Sequence, residues 1–261
     1  MTDPLDFSGK VTLVTGGARG VGRGITKSFL GRGSEVVICG RNAPEAPVSA
    51  NGKEAAFIAA GVRDAAQVDT LIAEIKARFG RLDVVINNAG GAPPADPSTV
   101  SPRFSESIIK LNLIAPLFVS QAANRIMQEQ ETGGSIVNIA SVTVLRPAPW
   151  TAAYGAAKAG LINLSQALAI AWAPKVRVNG IIAGLIRTEQ SHLHYGDEDG
   201  IKRVEATIPL GRLADPTDIA DACAYLSSPL ARYVSGAALA VDGGGERPAF
   251  LDAGTGAPHG E

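Results

Sequence analysis

Two ionisable side chains stand four residues apart in the segment TAAYGAAKAG, residues 151–160. Alanine favours helix, and residues i and i+4 share one helical face, so Tyr154 and Lys158 are predicted to point the same way. An ammonium group beside a phenol stabilises the phenolate, which suits proton transfer near neutral pH. Taken alone, the two residues indicate either an exposed surface pair or a proton-handling pair.

A glycine-rich loop near the amino terminus predicts a phosphate-binding site. The segment TGGARGVGRG, residues 15–24, follows a strand pattern and opens a helical pattern. Gly16, Gly20 and Gly22 allow a sharp turn and a close approach to a phosphate, whose charge is stabilised at a helix amino terminus. A tight strand-to-helix turn needs glycine in any case, but this context is the one that a dinucleotide site requires.

Short apolar runs alternate with helix-length segments along most of the chain. Most runs are continuous, as is typical of parallel strands buried on both faces. Strands are predicted at 11–15, 36–39, 55–59, 82–87, 135–140, 176–182 and 238–241, and helices at 21–30, 65–79, 103–130, 152–172 and 217–226. The predicted fold class is α/β, a doubly wound Rossmann-like fold of about seven parallel strands flanked by helices on both faces.

Two segments depart from this alternation within what is predicted to be one domain, residues 1–244. The polar segment 188–208 is predicted to be irregular and follows the sixth strand. Because ligands bind at the carboxyl ends of such strands, it is either a lid or a solvated surface insertion. Residues 245–261 are rich in Gly and Pro and are predicted to form an irregular tail.

Composition restricts the partners and the location of the chain. A net charge of −1 over 261 residues gives no electrostatic basis for binding nucleic acid or an anionic membrane. No apolar run approaches the roughly 18 residues that span a bilayer. The two cysteines, Cys39 and Cys223, lie far apart, which argues against a disulfide framework and favours a reducing, cytoplasmic location.

Seven motifs in a fixed order make the chain resemble the short-chain dehydrogenase/reductase family. They are TGGARGVG at 15–22, NNAG at 87–90, Asn112 in LNL, Ser141 at the end of NIAS, YGAAK at 154–158, RVNGIIAG at 177–184 and VDGG at 241–244. The resemblance implies an NAD(P)-dependent enzyme that transfers hydride between a nicotinamide and a carbonyl or secondary alcohol carbon of a small-molecule substrate.

The resemblance assigns catalytic roles to four residues. Tyr154 is the acid–base group, and Lys158 lowers its pKa and holds the nicotinamide ribose. Ser141 follows a buried strand, where its hydroxyl would hydrogen-bond the substrate oxygen. Asn112, predicted to lie in a long apolar helix, would belong to a water relay to Lys158. Each residue alone also fits a structural role, but together with the glycine loop they favour catalysis.

The resemblance also implies which residues contact the cofactor. They are Gly16, Arg19, Gly20, Val21, Gly22, Arg41, Val62, Asn88, Ala89, Gly90, Tyr154, Lys158, Gly184, Ile186 and Thr188. Thr188 would bind the nicotinamide carboxamide, and the backbone N–H of Val62 would bind the adenine.

The residues after the second strand favour NADP(H), with NAD(H) as the alternative. An acidic residue there would bind the ribose hydroxyls and repel a 2′-phosphate, whereas a basic residue would attract that phosphate. The sequence places Gly40 and then Arg41 at this point, and Arg19 in the glycine loop is a second guanidinium. Either arginine could instead stack on the adenine.

Two positions depart from the family pattern. Gly61 stands where an aspartate usually contacts the adenine, and Asp64 is the nearest carboxylate that could compensate. Ala183 stands where proline is usual, which predicts a less rigid bend before Ile186 and Thr188.

The predicted substrate site is largely apolar. Its residues are Ser141, Val142, Trp150, Tyr154 and Leu185, with Val144 and Leu145 beside them. This lining suits a 3-oxoacyl chain, a steroid or a cyclic ketone. Two side chains are left with alternatives: Arg146 meets an anionic carrier or faces solvent, and Trp150 lines the pocket or packs under a loop.

The remaining predictions concern assembly, metals and rival functions. The resemblance implies a homotetramer, or a homodimer, formed through the helices at 103–130 and 152–172. No metal site is predicted, because His192 and His194 lack a third ligand. A nucleotide-sensing binding protein without turnover would be expected to lose Tyr154 or Lys158, and a purely structural oligomer leaves the glycine loop unexplained.

Overall fold

A computed structural model describes residues 3–249 and places a seven-stranded parallel sheet at the centre of the molecule. The strands in chain order are β1 (Val11–Thr15), β2 (Glu35–Gly40), β3 (Ser49–Ala50), β4 (Lys53–Glu54), β5 (Ala56–Ala59), β6 (Val84–Asn87), β7 (Gly134–Ser141), β8 (Val176–Ala183) and β9 (Ala238–Val241). The sheet order is β5-β2-β1-β6-β7-β8-β9, whereas β3 and β4 pair separately as a short antiparallel hairpin. All seven predicted strands are therefore present, and the hairpin was not predicted.

Helices cover both faces of the sheet, as the doubly wound prediction requires. They are α1 (Gly20–Gly31), α2 (Ala65–Phe79), α3 (Pro102–Ile109), α4 (Ala115–Glu129), α5 (Ala152–Ala171), α6 (His192–Tyr195), α7 (Glu198–Glu205) and α8 (Pro216–Ser227). Apolar side chains of α1 and α8 form the core on one face, and those of α2, α4 and α5 form the core on the other. Within residues 3–249, no helix is long and apolar enough to cross a membrane.

The predicted helix at 103–130 is not one continuous α-helix. A π-helical turn, Lys110–Ile114, separates α3 from α4 and carries the fully buried Asn112. Such wider turns occur mostly as single turns inside α-helices and often at functional sites. The apolar period alone does not reveal the turn, because the helical pattern resumes after it.

The segment 188–208 is not irregular as predicted, because it contains α6 and α7. The side chain of Asp197 caps α7 by accepting from the backbone N–H of Gly200. Ile201 and Ile208 are buried in a small cluster with Leu213. Only a few apolar residues anchor the segment, and its high polarity obscures them in the sequence.

The order of the strands defines where a ligand can bind. The chain adds strands on one side of β1 and then crosses to its other side at β6. This reversal opens a crevice at the carboxyl ends of β1 and β6, the usual ligand site of open parallel sheets.

Candidate functional site

The glycine loop leaves the amino terminus of α1 open. Arg19 precedes the helix without capping it through its side chain, and Gly20 has a φ of 51°. A β-carbon on Gly22 would lie 2.3 Å from the Gly16 carbonyl oxygen and 2.5 Å from Nδ2 of Asn88, so only glycine fits there. The backbone N–H groups of the first turn thus fit the diphosphate of a dinucleotide.

A threonine that the sequence argument missed fastens the NNAG segment to the glycine loop. Oγ1 of Thr15 accepts from the backbone N–H groups of Asn88 and Ala89, each at 3.0 Å. Nδ2 of Asn88 donates to the Thr15 carbonyl oxygen at 3.0 Å. The position of Thr15 at the end of β1, beside a neighbouring strand, could have indicated this role from the sequence.

Tyr154 and Lys158 lie one turn apart on α5, as predicted, and Ser141 at the end of β7 meets them. The Tyr154 hydroxyl hydrogen-bonds to the side chain of Ser141. Nζ of Lys158 lies 5.6 Å from the centroid of the Tyr154 ring and donates to the Ile139 carbonyl oxygen at 2.7 Å. The structure therefore brings the three predicted catalytic side chains together.

The pKa values of Tyr154 and Lys158 differ from the sequence-based expectation. Burial raises the pKa of Tyr154, and the hydrogen bond from Ser141 only partly opposes it. The expected lowering of this pKa below its ordinary value is not seen, because burial outweighs any stabilisation by Lys158, whose ammonium faces the ring and a carbonyl oxygen. Burial also lowers the pKa of Lys158 from its ordinary 10.5 to about 8. A protonated phenol near neutral pH is the form that can donate a proton.

Asn112 is held rigidly in the π-helical turn. Its Oδ1 accepts from the Gly91 N–H at 2.8 Å, and its Nδ2 donates to the carbonyl oxygens of Gly91 and Ile108 at 3.0 and 2.9 Å. A β-carbon on Gly90 would lie 2.7 Å from this Oδ1 and 3.2 Å from Nζ of Lys158. Gly90 therefore separates the two predicted relay groups.

Replacing Gly90 with alanine is expected to lower kcat/KM by about tenfold to a hundredfold, because the methyl group displaces a positioned side chain. The effect should fall mainly on kcat if Asn112 and Lys158 move away from the reacting atoms. Gly31 at the end of α1 gives the matched control, Gly31→Ala, because its φ lies outside the left-handed region and an added β-carbon would meet its nearest heavy atom, Nδ2 of Asn51, at 3.6 Å. Equal activities of Gly90→Ala and the unmodified chain would contradict this packing argument.

A network of buried polar side chains, which the sequence argument missed, connects the strands to the helix that carries the catalytic residues. Nδ2 of Asn87 donates to Oδ1 of Asn138 at 2.8 Å and to Oγ of Ser120 at 3.0 Å. Nδ2 of Asn138 donates in turn to Oγ of Ser165 on α5 at 2.8 Å. The network joins β6 and β7 to the helix that carries Lys158. Two asparagines within apolar strands were the signal for it.

The segment after β8 is well anchored despite the alanine at position 183. The backbone of Leu185 and Arg187 pairs with Ala214, at 2.9 and 2.8 Å, around a bridge at Ile186. Cγ2 of Thr188 then lies 3.8 Å from the position of a β-carbon on Gly20. Thr188, the residue predicted to bind the nicotinamide carboxamide, thus lies beside the glycine loop.

Glu189 reaches from the same segment onto α1, a contact that the sequence argument missed. Its Oε1 accepts from the backbone N–H of Gly20 at 2.9 Å. Its own backbone N–H and that of Gly20 lower the pKa of its carboxyl group, and Arg23 and Arg19 add to this. The carboxylate therefore binds a backbone N–H at the amino terminus of α1, the end of the helix that is predicted to hold phosphate.

The predicted adenine end contains two exposed arginines and no compensating acid. Arg19 and Arg41 are exposed, and Gly61 donates its backbone N–H to Oε1 of Gln67 at 2.8 Å. The carboxylate of Asp64 caps α2 by accepting from the backbone N–H groups of Ala66 and Gln67. Asp64 thus does not replace the carboxylate missing at position 61. Val62 is partly buried against the core.

The predicted substrate residues are only partly brought together. Val142 and Leu185 line a cavity of about 390 Å³, together with Leu145 and the paired Arg146 and Glu246. Trp150 is 57% exposed and is not among the lining residues of that cavity. Its φ of 66° is unusual for a large side chain, and its carbonyl oxygen accepts from the Ala95 N–H at 2.7 Å. Neither predicted role of the Trp150 side chain gains support.

Known proteins resemble this chain over most of its length. A family model described as Enoyl-(Acyl carrier protein) reductase matches residues 16–246. The L-rhamnose 1-dehydrogenase (NAD(P)(+)) of Azotobacter vinelandii is 34% identical over 245 residues, which are 90% of this chain and 96% of the relative. The 3alpha-hydroxysteroid dehydrogenase of Mediterraneibacter gnavus is 35% identical over 249 residues, 90% of this chain and 96% of the relative.

A solved structure gives the same result for the fold. Ligand-free aldohexose dehydrogenase from Thermoplasma acidophilum superposes with a TM-score of 0.86 at 28% identity, covering 98% of this chain and 99% of that one. Sequence motifs, strand order and relatives agree. The chain belongs to the short-chain dehydrogenase/reductase family and is an NAD(P)-dependent oxidoreductase.

Proposed function

We propose that the chain transfers hydride between NADP(H) and a carbonyl or secondary alcohol carbon, with Tyr154 as the acid–base group. The observation that carries the proposal is the hydrogen bond between Tyr154 and Ser141 beside the buried Lys158. The nicotinamide supplies the hydride chemistry, and the chain supplies alignment, hydrogen bonds and a proton. A substrate with apolar surface, such as the predicted 3-oxoacyl chain, steroid or cyclic ketone, would pack on Val142, Leu145 and Leu185.

In the reducing direction, the chain's own groups act on the substrate oxygen. Ser141 donates a hydrogen bond to that oxygen, and Tyr154 releases its proton to it as negative charge develops. Lys158 then stabilises the phenolate by its charge from one helical turn away. The resemblance gives Asn112 a part in a water relay that returns the proton through Lys158, and Gly90 lies between the two side chains. In the oxidising direction the phenolate accepts the proton instead.

The proposed cofactor-binding residues lie at or just after the carboxyl ends of successive strands. Gly20, Val21 and Gly22 would hold the diphosphate, and Arg19 and Arg41 would bind a 2′-phosphate. The other proposed cofactor contacts lie further along the dinucleotide. They are the N–H of Val62 at the adenine, Asn88, Ala89, Gly90 and Lys158 near the ribose, and Gly184, Ile186 and Thr188 near the nicotinamide.

Arg41→Ala is expected to weaken NADPH binding about tenfold and to leave NADH binding unchanged, because a charge-assisted hydrogen bond to the 2′-phosphate is lost. Fluorescence titration of both cofactors measures the effect. Arg78→Ala, which removes an exposed arginine near the carboxyl end of α2, is the control. Tighter binding of NADH than of NADPH, unaltered in Arg41→Ala, would contradict the choice of cofactor.

Glu189→Gln is expected to tighten NADPH binding about threefold, because the amide oxygen still accepts from Gly20 while the charge that repels the diphosphate is gone. The gain should shrink as salt is added. Glu74→Gln, on the exposed surface of α2, should change nothing. Weaker binding by Glu189→Gln at low salt would show that the carboxylate helps to hold the cofactor.

Turnover itself is tested by the loss of reduced-nicotinamide absorbance with a panel of ketones. Tight binding of both cofactors without turnover of any ketone or alcohol would favour the nucleotide-sensing alternative.

We further propose that residues 1–244 form one catalytic domain in a cytoplasmic homotetramer or homodimer. The exposed alanines 152, 156 and 159 on α5 support close packing of two copies through the predicted helices at 103–130 and 152–172. The free, buried Cys39 and Cys223 support a reducing compartment. Sedimentation tests the assembly. Of the predicted tail, residues 245–248 have no regular secondary structure, and residues 250–261 lie outside the described residues.

A further inference from the structure

The cavity lined by Val142, the residue that follows Ser141, combines apolar walls with a charged end. Val142, Leu145, Leu185 and Ile208 supply the apolar part. Its volume of about 390 Å³ lies within the range of roughly 300–1,000 Å³ that small-molecule sites occupy. The sequence predicted the apolar lining and left the role of Arg146 open, but it did not point to Glu246, which lies 100 residues further along the chain.

An ion pair between Arg146 and Glu246 forms the charged end. Arg146 follows β7 and Glu246 follows β9, and their side chains form an ion pair in the lining of the cavity. The side chains retain 39% and 30% exposure, so both have surface left for a ligand. Tyr195 of α6 lies close to both: burial raises the pKa of its phenol, Glu246 raises it further, and Arg146 opposes them. Asp242 and Arg247 complete the charged lining.

We infer that Arg146 and Glu246 select a polyhydroxylated substrate, whose hydroxyl groups beside the reacting carbon they bind as a pair. This inference rests on the proposed hydride transfer and replaces the apolar substrates predicted from the sequence with polyols and sugars. A guanidinium only donates and a carboxylate only accepts, whereas a hydroxyl group does both. Adjacent hydroxyls can therefore bridge the pair without separating its charges.

Other substrate classes fit the charged end less well. A substrate with only apolar surface would remove water from both charges and return no hydrogen bonds. An anionic group would pair with Arg146 but would be repelled by Glu246. The C–H surface of a polyol can still pack on the apolar wall formed by Val142 and Leu185, so the cavity suits a molecule with both kinds of surface.

The test compares hexitols and aldohexoses with deoxygenated alcohols of the same carbon skeleton, such as hexan-2-ol and hexan-3-ol, with NADP⁺ and NAD⁺. The unmodified chain should oxidise a polyol with a kcat/KM about 100-fold above that for its deoxygenated analogue. Glu246→Gln should lower kcat/KM for the polyol about 10- to 100-fold and leave that for the analogue unchanged. Arg146→Lys, which keeps the charge but loses the planar donor fork, should show the same selective loss.

Glu129→Gln breaks an exposed ion pair with Lys76 and should leave both substrates unaffected. Thermal unfolding and NADPH titration establish that each variant is folded. A preference of the unmodified chain for the deoxygenated alcohol, or an equal loss for both substrates in both cavity variants, overturns the inference and leaves the proposed function standing. Absence of turnover of any alcohol or ketone overturns both.

Discussion

Tyr154→Phe is expected to lower kcat/KM by about 10³-fold while NADPH binding and thermal stability stay close to those of the unmodified chain. The substitution removes the hydroxyl that hydrogen-bonds Ser141 and donates the proton. It keeps the aromatic ring over which the Lys158 ammonium lies at 5.6 Å, so the packing of α5 is retained. The loss should therefore appear in kcat, because the missing proton transfer belongs to the transition state.

The matched control is Tyr233→Phe, which removes a hydroxyl from a fully exposed side chain. Steady-state rates with the best substrate of the panel, together with cofactor titration, measure both variants. If Tyr154→Phe turned over as fast as Tyr233→Phe, another group would have to supply the proton, and the assigned mechanism would be wrong.

Lys158→Met is expected to lower turnover at least about 100-fold and yet to stabilise the chain by about 3 kcal/mol near neutral pH. Activity falls because the phenolate loses its neighbouring charge and the ribose loses a donor. Stability rises because the lysine is buried and its ammonium carries a desolvation cost, which appears as a pKa lowered from 10.5 to about 8. The lost hydrogen bond to the Ile139 carbonyl oxygen reduces the gain.

The sign of the pH dependence follows from proton binding. Below the folded-state pKa of about 8, the lysine is protonated in both states and the full cost applies. Between about 8 and 10.5 the unfolded chain binds more protons, so the stability of the unmodified chain rises with pH. Above that window the lysine is neutral in both states.

Urea unfolding of the two proteins near pH 7 and near pH 10 measures this dependence. The advantage of Lys158→Met should be largest near neutrality and should shrink in alkali. A methionine variant that is less stable near neutrality, by an amount that does not change with pH, would contradict the buried-charge argument.

The local parts of the structure were predictable from the sequence, and the long-range contacts were not. Apolar runs located the strands because parallel strands buried on both faces are continuously apolar. The spacing of Tyr154 and Lys158 fixed their common direction because both lie on one helix. The π-helical turn at Asn112 was missed because its neighbours continue the helical period.

The contacts of Glu189 and Glu246 could not be read from the sequence for a different reason. Each joins a partner that is more than 90 residues away, since Glu189 binds Gly20 and Glu246 pairs with Arg146. The direction of the pKa shift of Tyr154 depends likewise on burial by tertiary packing. These contacts and this pKa shift depend on which loops contact one another at the carboxyl ends of the strands. The sequence pattern predicts only that the loops lie at that edge of the sheet.

The most direct test of the central claim follows the hydride and the proton separately. NADPH deuterated at its transferable position is incubated with a substrate ketone, and the alcohol product is examined by mass spectrometry. Transfer of the deuterium to the carbinol carbon by the unmodified chain, and about 10³-fold less by Tyr154→Phe, is the predicted result. Deuterium that is absent from the alcohol, or equal transfer by both proteins, would contradict it.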